Sequence, residues 1–248
     1  MLAIIGDKRI TRLPDFEISH RQIIRTPYGE PSSPLTFGRI NDHEIVFLAR
    51  QGSFHNILPH AVNYCANLWA LNSFNPTQVI SISLVGGIHP DLLPGMIVIP
   101  DQIIDYTHSR KSTYFESTEK TIACTDFSEP YCRIARMDIL EAAKRGHEKI
   151  INGGVYAATQ GPRLETVAEI NRLERDGADI VGMTDMPEAV LAKELQLCYA
   201  TIAVVNYCAV RRGVAIHAIK SASAHVILEE AATKVINILK SIVEPNGN

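Results

Sequence analysis

The chain has 248 residues, 46% hydrophobic and 21% charged, with 24 basic against 27 acidic side chains for a formal net charge of -3. That length suits one large α/β domain or two small ones, and the apolar fraction with 15 glycines and 13 prolines excludes a disordered, collagen-like or coiled-coil chain. The charge balance argues against a broad nucleic-acid face, which shows as a basic excess, and leaves room for one small anion held locally. In chain order, Met1–Gly6 is a short apolar run ending in glycine and reads as a buried first strand. Thr26–Pro34 is dense in turn formers and reads as a loop, and Glu44–Ala49 is a second apolar strand. Ala61–Leu71 carries Val62, Cys65, Leu68 and Trp69 at helical spacing. Gln78–Val85 is rich in β-branched residues and stops at Gly86-Gly87, and Met96–Ile99 lies between prolines. Tyr131–Arg145 reads as a helix, Gly154–Ala158 as a strand, Thr166–Arg175 and Glu188–Glu194 as helices, Tyr199–Val205 as a buried strand, and His225–Val243 as a closing amphipathic helix.

Apolar strands alternating with helices predict an α/β fold with a mostly parallel sheet covered on both faces. Ligands in such folds collect where strands end, and polar or glycine-rich clusters follow several strands here: Gly6–Arg9, Arg50–His55, Ser83–Gly87, Thr159–Glu165 and Asn206. No run of 18 apolar residues suggests a membrane span, and Asp7-Lys8-Arg9 interrupts the apolar start too soon for a signal-peptide core. Five cysteines, none in a CxxC pair, predict reduced thiols, a cytoplasmic location and no zinc site.

Each cluster has a plain structural reading. Gly161-Pro162 is a turn, and Glu165 in a first helical turn suits the helix dipole. Thr184 or Asp185 suits a helix cap, with Pro187 near its start. Asn206 after an apolar strand suits a turn. His55 and His60 lack a partner at metal-ligand spacing.

Taken together, the clusters resemble a known family. Leu48-Ala-Arg-Gln-Gly52, His55, Pro59 with Val62-Asn-Tyr-Cys-Ala-Asn-Leu-Trp-Ala70, Thr159-Gln-Gly-Pro-Arg163 and Gly182-Met-Thr-Asp-Met-Pro-Glu188 look, in that order, like the trimeric purine nucleoside phosphorylases and methylthioadenosine phosphorylases. The resemblance runs from Met1 to about Asn206. It is most marked toward the bacterial S-methyl-5'-thioinosine phosphorylase branch, through Asp105-Tyr-Thr107, Thr113-Tyr-Phe115 and Leu164–Ile170.

The resemblance implies a single three-layer α/β/α domain over residues 1–248, with a mixed, mostly parallel twisted sheet. It implies phosphorolysis of a 6-oxopurine nucleoside, with inorganic phosphate as co-substrate, no metal and no other cofactor. It implies a homotrimer or a dimer of trimers, with no nucleic acid or membrane as partner. Glu165 as carboxylate would accept N1–H of the base, while Asn206 would donate to O6 and accept from protonated N7. Adenine has no N1 proton, and the adenosine-type branch carries Asp where this chain has Asn206. Met183 would pack beneath the ribose, with Leu164 and His55 among the substrate contacts and His225 either at the 5' group or simply near a helix start. Arg50, Ser83 and Thr184 match phosphate positions. The family's glycine-rich phosphate loop is replaced by Gly6-Asp7-Lys8-Arg9, where Lys8 would serve as a point cation. Gln51 and Cys124 each stand where relatives have His. The alternatives are an inosine/guanosine or methylthioadenosine phosphorylase, a nucleoside-binding homologue with little phosphorolysis, or a hydrolase using water.

Overall fold

The computed structural model of the protein describes residues 1–7, 16–40, 42–115, 124–209 and 222–244. In order these form β1 (Leu2–Gly6), β2 (Glu17–Gln22), β3 (Leu35–Ile40), β4 (His43–Ala49), α1 (Tyr64–Asn72), β5 (Gln78–Gly87), β6 (Ile97–Ile99) and β7 (Gln102–Asp105). They continue with α2 (Arg133–Arg145), β8 (Ile151–Asn152), β9 (Val155–Ala158), α3 (Val167–Arg175), β10 (Ile180–Gly182), α4 (Asp185–Glu194), β11 (Tyr199–Cys208) and α5 (Ala222–Val243).

The strands share one sheet whose main path is β2-β3-β4-β1-β5-β10-β9-β7, with β11 branching from β5 to β6. β1 runs parallel to β4 and β5, β11 parallel to β5, and β9 parallel to β10 and β7. The β2–β3–β4 edge and the β10–β5 and β11–β6 pairs are antiparallel. The sheet is mixed and mostly parallel, as the alternating elements predict.

Two cores explain why β1 is buried at every residue. Ala3 and Ile5 join one core with α1 and α4, while Leu2 and Ile4 join the other with α2 and α5. β11 does the same, sending Tyr199, Ala203 and Val205 to the first core and Ala200, Ile202 and Val204 to the second. Successive strand residues point to opposite faces, so a strand covered on both sides reads as a continuous apolar run. Burying each large aliphatic side chain contributes about 1.5–3 kcal/mol.

Several boundaries differ from the sequence reading. β2 is exposed throughout and was not foreseen, because a polar edge strand carries no apolar alternation. α1 begins at Tyr64, capped by the Asn63 side chain accepting from Ala66 N–H, after a separate turn at Pro59–Ala61. Tyr131 lies before α2, which begins at Arg133. α4 begins at Asp185 through an extended Met186 (φ -114°, ψ 133°), three residues ahead of the expected Glu188. Neither Thr184 nor Asp185 caps it as expected: Thr184 makes no side-chain cap bond, and the Asp185 side chain turns into the core. β11 runs past Val205 to Cys208, so Asn206 is not a turn residue but sits at a bulge, where the register shifts between Val205 and Tyr207.

The expected set of reduced thiols is also corrected. Cys132 and Cys198 are disulfide-bonded, joining the start of α2 to the start of β11, while Cys65, Cys124 and Cys208 stay outside any disulfide. Their sequence separation of 66 residues hides the pairing from spacing arguments. No helix among the described residues is long and apolar enough to cross a membrane.

Candidate functional site

The strand ends predicted to gather a ligand do converge. Gly6 and Ala49 pair at the ends of β1 and β4, the Arg50 N–H donates to the Gly6 carbonyl, and β5, β9, β10 and β11 bring their ends alongside. Beneath them lies a buried polar cluster. Arg50, only 4% exposed, directs Nε at 2.7 Å to Glu188 Oε2 and Nη2 at 2.8 Å to Oε1. Its Nη2 also donates to Ser81 Oγ and its Nη1 to the Ile82 carbonyl. These bonds leave at most one of five guanidinium hydrogens for an outside anion. Burial opposes the Arg50 charge, but the Glu188 carboxylate outweighs it and raises the pKa above the ordinary arginine value. Arg50 is thus a buried anchor of the site first, which its position in the sequence did not reveal.

Asp185 and Glu188 have no exposed surface at all. Asp185 Oδ1 accepts from Ser83 Oγ at 2.8 Å and Oδ2 from Tyr131 OH at 2.7 Å. Ser83 Oγ stands 2.9 Å from Thr184 Oγ1, so the two expected anion-binding hydroxyls are neighbours. Tyr199 OH donates to Glu188 Oε1 and receives the Thr201 hydroxyl. Burial raises Tyr131 and Tyr199 well above the ordinary tyrosine value, so both stay neutral donors to the two carboxylates. At the surface above, Asp7 Oδ2 meets His55 Nδ1 at 3.0 Å, with His55 half exposed and in the left-handed region (φ 54°). Lys8 lies outside the described residues.

On the other side, a cleft of about 430 Å³ is lined by Tyr106, His108, Thr159, Gln160, Glu165 and Arg172 among others. Glu165 Oε1 accepts the Thr159 hydroxyl at 2.7 Å. Its Oε2 is shut off from solvent. The Tyr207 ring lies against Gly86, where any Cβ would strike it, and its pKa is raised by burial, then by the Glu165 charge and a hydrogen bond to that carboxylate. Asn206, half buried, sits just before it at the bulge, a device that re-aims side chains beside functional sites. Met183 packs on Gly161, whose positive φ of 61° and missing Cβ make room for the sulfur. Leu164 is 60% exposed next to Glu165. His225 falls in the first turn of α5, and its side chain lies outside the described residues.

Sequence reasoning missed Arg110, Tyr131, Glu188 and Tyr207. Arg110 donates to the carbonyls of Thr159, Gln160, Met183 and Met186, tying the loop after β9 to the loop after β10. Nothing in its neighbourhood of the sequence marks it. Glu188 did leave a signal, an acid heading the apolar stretch Ala189-Val-Leu-Ala192. Among the described residues, no group of His, Cys, Asp or Glu is arranged to hold a metal ion.

The chain is similar to known proteins along most of its length. The model of the phosphorylase superfamily matches residues 3–244. A probable S-methyl-5'-thioinosine phosphorylase of Xanthomonas campestris pv. campestris is 45% identical over 204 residues, 82% of each chain. The 6-oxopurine nucleoside phosphorylase of Pyrococcus furiosus is 44% identical over 214 residues, 84% of this chain and 80% of that one. A crystal structure of a methylthioadenosine phosphorylase from an antarctic soil metagenomic library superposes with a TM-score of 0.91 at 32% identity, covering 98% of this chain and 84% of that one.

Proposed function

This chain belongs to the phosphorylase superfamily, and from that premise we propose that its cleft splits the N-glycosidic bond of a 6-oxopurine nucleoside with inorganic phosphate. A phosphate oxygen bonds to C1' as the C1'–N9 bond breaks. The electron pair of that bond leaves on the purine, a proton taken up by the ring completes the free base, and the sugar departs as its 1-phosphate. The reaction is one of purine salvage.

The observation that carries the reading is the Glu165 carboxylate in the cleft lining, fixed there by the Thr159 hydroxyl. An ionised carboxylate only accepts hydrogen bonds, so it selects a base edge that donates. The N1–H of hypoxanthine or guanine supplies a donor, whereas adenine offers only a lone pair there. In this reading Asn206 donates to O6 and accepts from N7–H, steadying the purine as it gains negative charge. Met183 packs beneath the ribose, and His55, Leu164 and His225 contact the rest of the nucleoside. Ser83 and Thr184 meet the phosphate, with Lys8 and the remaining Arg50 hydrogen adding positive charge. S-methyl-5'-thioinosine is the proposed nucleoside, supported by the 45% identity to the Xanthomonas protein named for it. The same membership supports a single domain over residues 1–248, assembled as a homotrimer in the cytoplasm.

Steady-state rates on methylthioinosine, inosine, guanosine and methylthioadenosine, with and without phosphate, test this. Phosphate-dependent release of hypoxanthine from methylthioinosine is expected to exceed adenine release from methylthioadenosine by at least about 100-fold in kcat/KM, since mismatched hydrogen-bonding groups are strongly rejected. Asn206→Asp is expected to narrow that ratio. Faster cleavage of methylthioadenosine, or base release unaffected by omitting phosphate, overturns the reading.

A further inference from the structure

Behind the two hydroxyls assigned to phosphate stands a carboxylate with no surface of its own. Asp185 is fully buried, with Ser83 Oγ 2.8 Å from Oδ1, Tyr131 OH 2.7 Å from Oδ2, and Thr184 Oγ1 2.9 Å beyond Ser83. A hydroxyl has one hydrogen to give, so the three groups Thr184, Ser83 and Asp185 form a chain with only two directions. When Asp185 is ionised it accepts the Ser83 hydrogen, and Ser83 in turn accepts the Thr184 hydrogen. Both hydrogens then point inward, and both oxygens turn lone pairs toward the anion. When Asp185 carries a proton on Oδ1 it donates to Ser83, Ser83 donates to Thr184, and the Thr184 hydrogen points outward.

We propose that Asp185 is the positioning residue of the anion site, and that phosphate binds there with uptake of one proton onto Asp185. The inference rests on the phosphorolytic reading for the identity of the anion, though not for the existence of the switch.

Charge works in the same direction as hydrogen orientation. The groups facing Asp185 are Ser83 from β5, Tyr131 ahead of α2, Tyr156 from β9, Glu188 from α4, Tyr199 and Thr201 from β11, and Tyr64 from α1. Among these described residues none is a cation. Arg50 reaches the cluster through Glu188, which already balances it. An ionised Asp185 therefore adds an uncompensated negative charge behind Ser83, and its protonation removes it. Burial, followed by the Glu188 charge, raises the Asp185 pKa against the opposing bonds from Tyr131 and Ser83. The proton is thus more readily held than on an ordinary aspartate.

Calorimetric titration of the full-length protein with sulfate tests the proposal, because sulfate does not itself change protonation at working pH. Between pH 5 and 8.5, affinity is expected to rise toward acid, by about tenfold per pH unit wherever comparison of buffers of different ionisation enthalpy shows one proton taken up. Asp185→Asn, a neutral isostere whose amide can donate to Ser83, is expected to bind sulfate with a flat pH profile. Tyr131→Phe removes a donor to the carboxylate and is expected to move the wild-type profile to higher pH, which decides the matter even where the Asn variant does not fold. A flat wild-type profile, no sulfate binding at any pH, an Asp185→Asn profile like the wild type (pointing to His55 and Asp7 instead), or an unmoved Tyr131→Phe profile overturns it. Sulfate binding needs no nucleoside and no turnover, so failure here and failure of the nucleoside panel are separate results.

Discussion

Glu188 accepts two guanidinium nitrogens of Arg50 and the hydroxyl of Tyr199 from a position with no exposed surface. Removing it leaves an arginine charge in the core with no counter-charge, which costs about 3–5 kcal/mol. Glu188→Gln is expected to lose stability on that scale in urea unfolding. Arg50→Met combined with Glu188→Leu is expected to lose much less, since an apolar pair replaces both desolvated charges. An unfolding midpoint unchanged in Glu188→Gln would contradict the pairing. The same bonds explain why a residue that matches a phosphate position by sequence does most of its bonding inside the protein. The order of residues identifies Arg50, but only the fold shows that its fork faces inward.

At the scale of the element, α3 shows how a local signal becomes a pH response. Thr166 accepts from the Glu169 N–H, and Glu169 Oε2 accepts from the Thr166 N–H, closing a reciprocal cap. Arg163 adds two bonds to the same carboxylate at 2.7 and 2.8 Å. The Arg163 bonds and then the Thr166 backbone bond hold Glu169 down at about 2, below its ordinary 4.5. A depressed folded pKa contributes stability that is complete above about 4.5 and is lost as pH falls toward about 2. Carbon-13 titration of Glu169 is expected to show a midpoint near 2, returning toward 4.5 in Arg163→Ala. A wild-type midpoint at 4.5 refutes the box as an acid-sensitive clamp. This helix was legible because its cap, its acid and its spacing lie within ten residues. β2 was not, since it is held by pairing with β3 and none of its residues is buried. The end of β11 was misread for a similar reason: Asn206 looks like a turn in sequence, and only its pairing with β5 makes it a bulge. The candidate site divides along the same line. Glu165, Ser83, Met183 and Thr184 stand in recognisable strings, whereas Arg110 and Tyr131 act through partners 46 to 76 positions away.

At the scale of the molecule, the Cys132–Cys198 bond closes a long loop, with a separation of 66 residues. Loop-closure entropy for that length is worth up to about 4 kcal/mol. Unfolding in urea with reductant, or of Cys198→Ser, is expected to show a loss within that bound, and identical midpoints with and without reductant would show that the bond adds nothing. The bond also changes the topology of the chain. Residues 132–198 form a covalent ring, and within it lie Thr159, Glu165, Met183, Thr184, Asp185 and Glu188, whereas Arg50, Ser83 and Asn206 lie on the two tails that leave it. A protease that cuts one peptide bond inside the ring opens the circle without parting the molecule. Such a nicked chain migrates as one full-length species until a thiol is added, and only then falls into two fragments that divide the cleft between them.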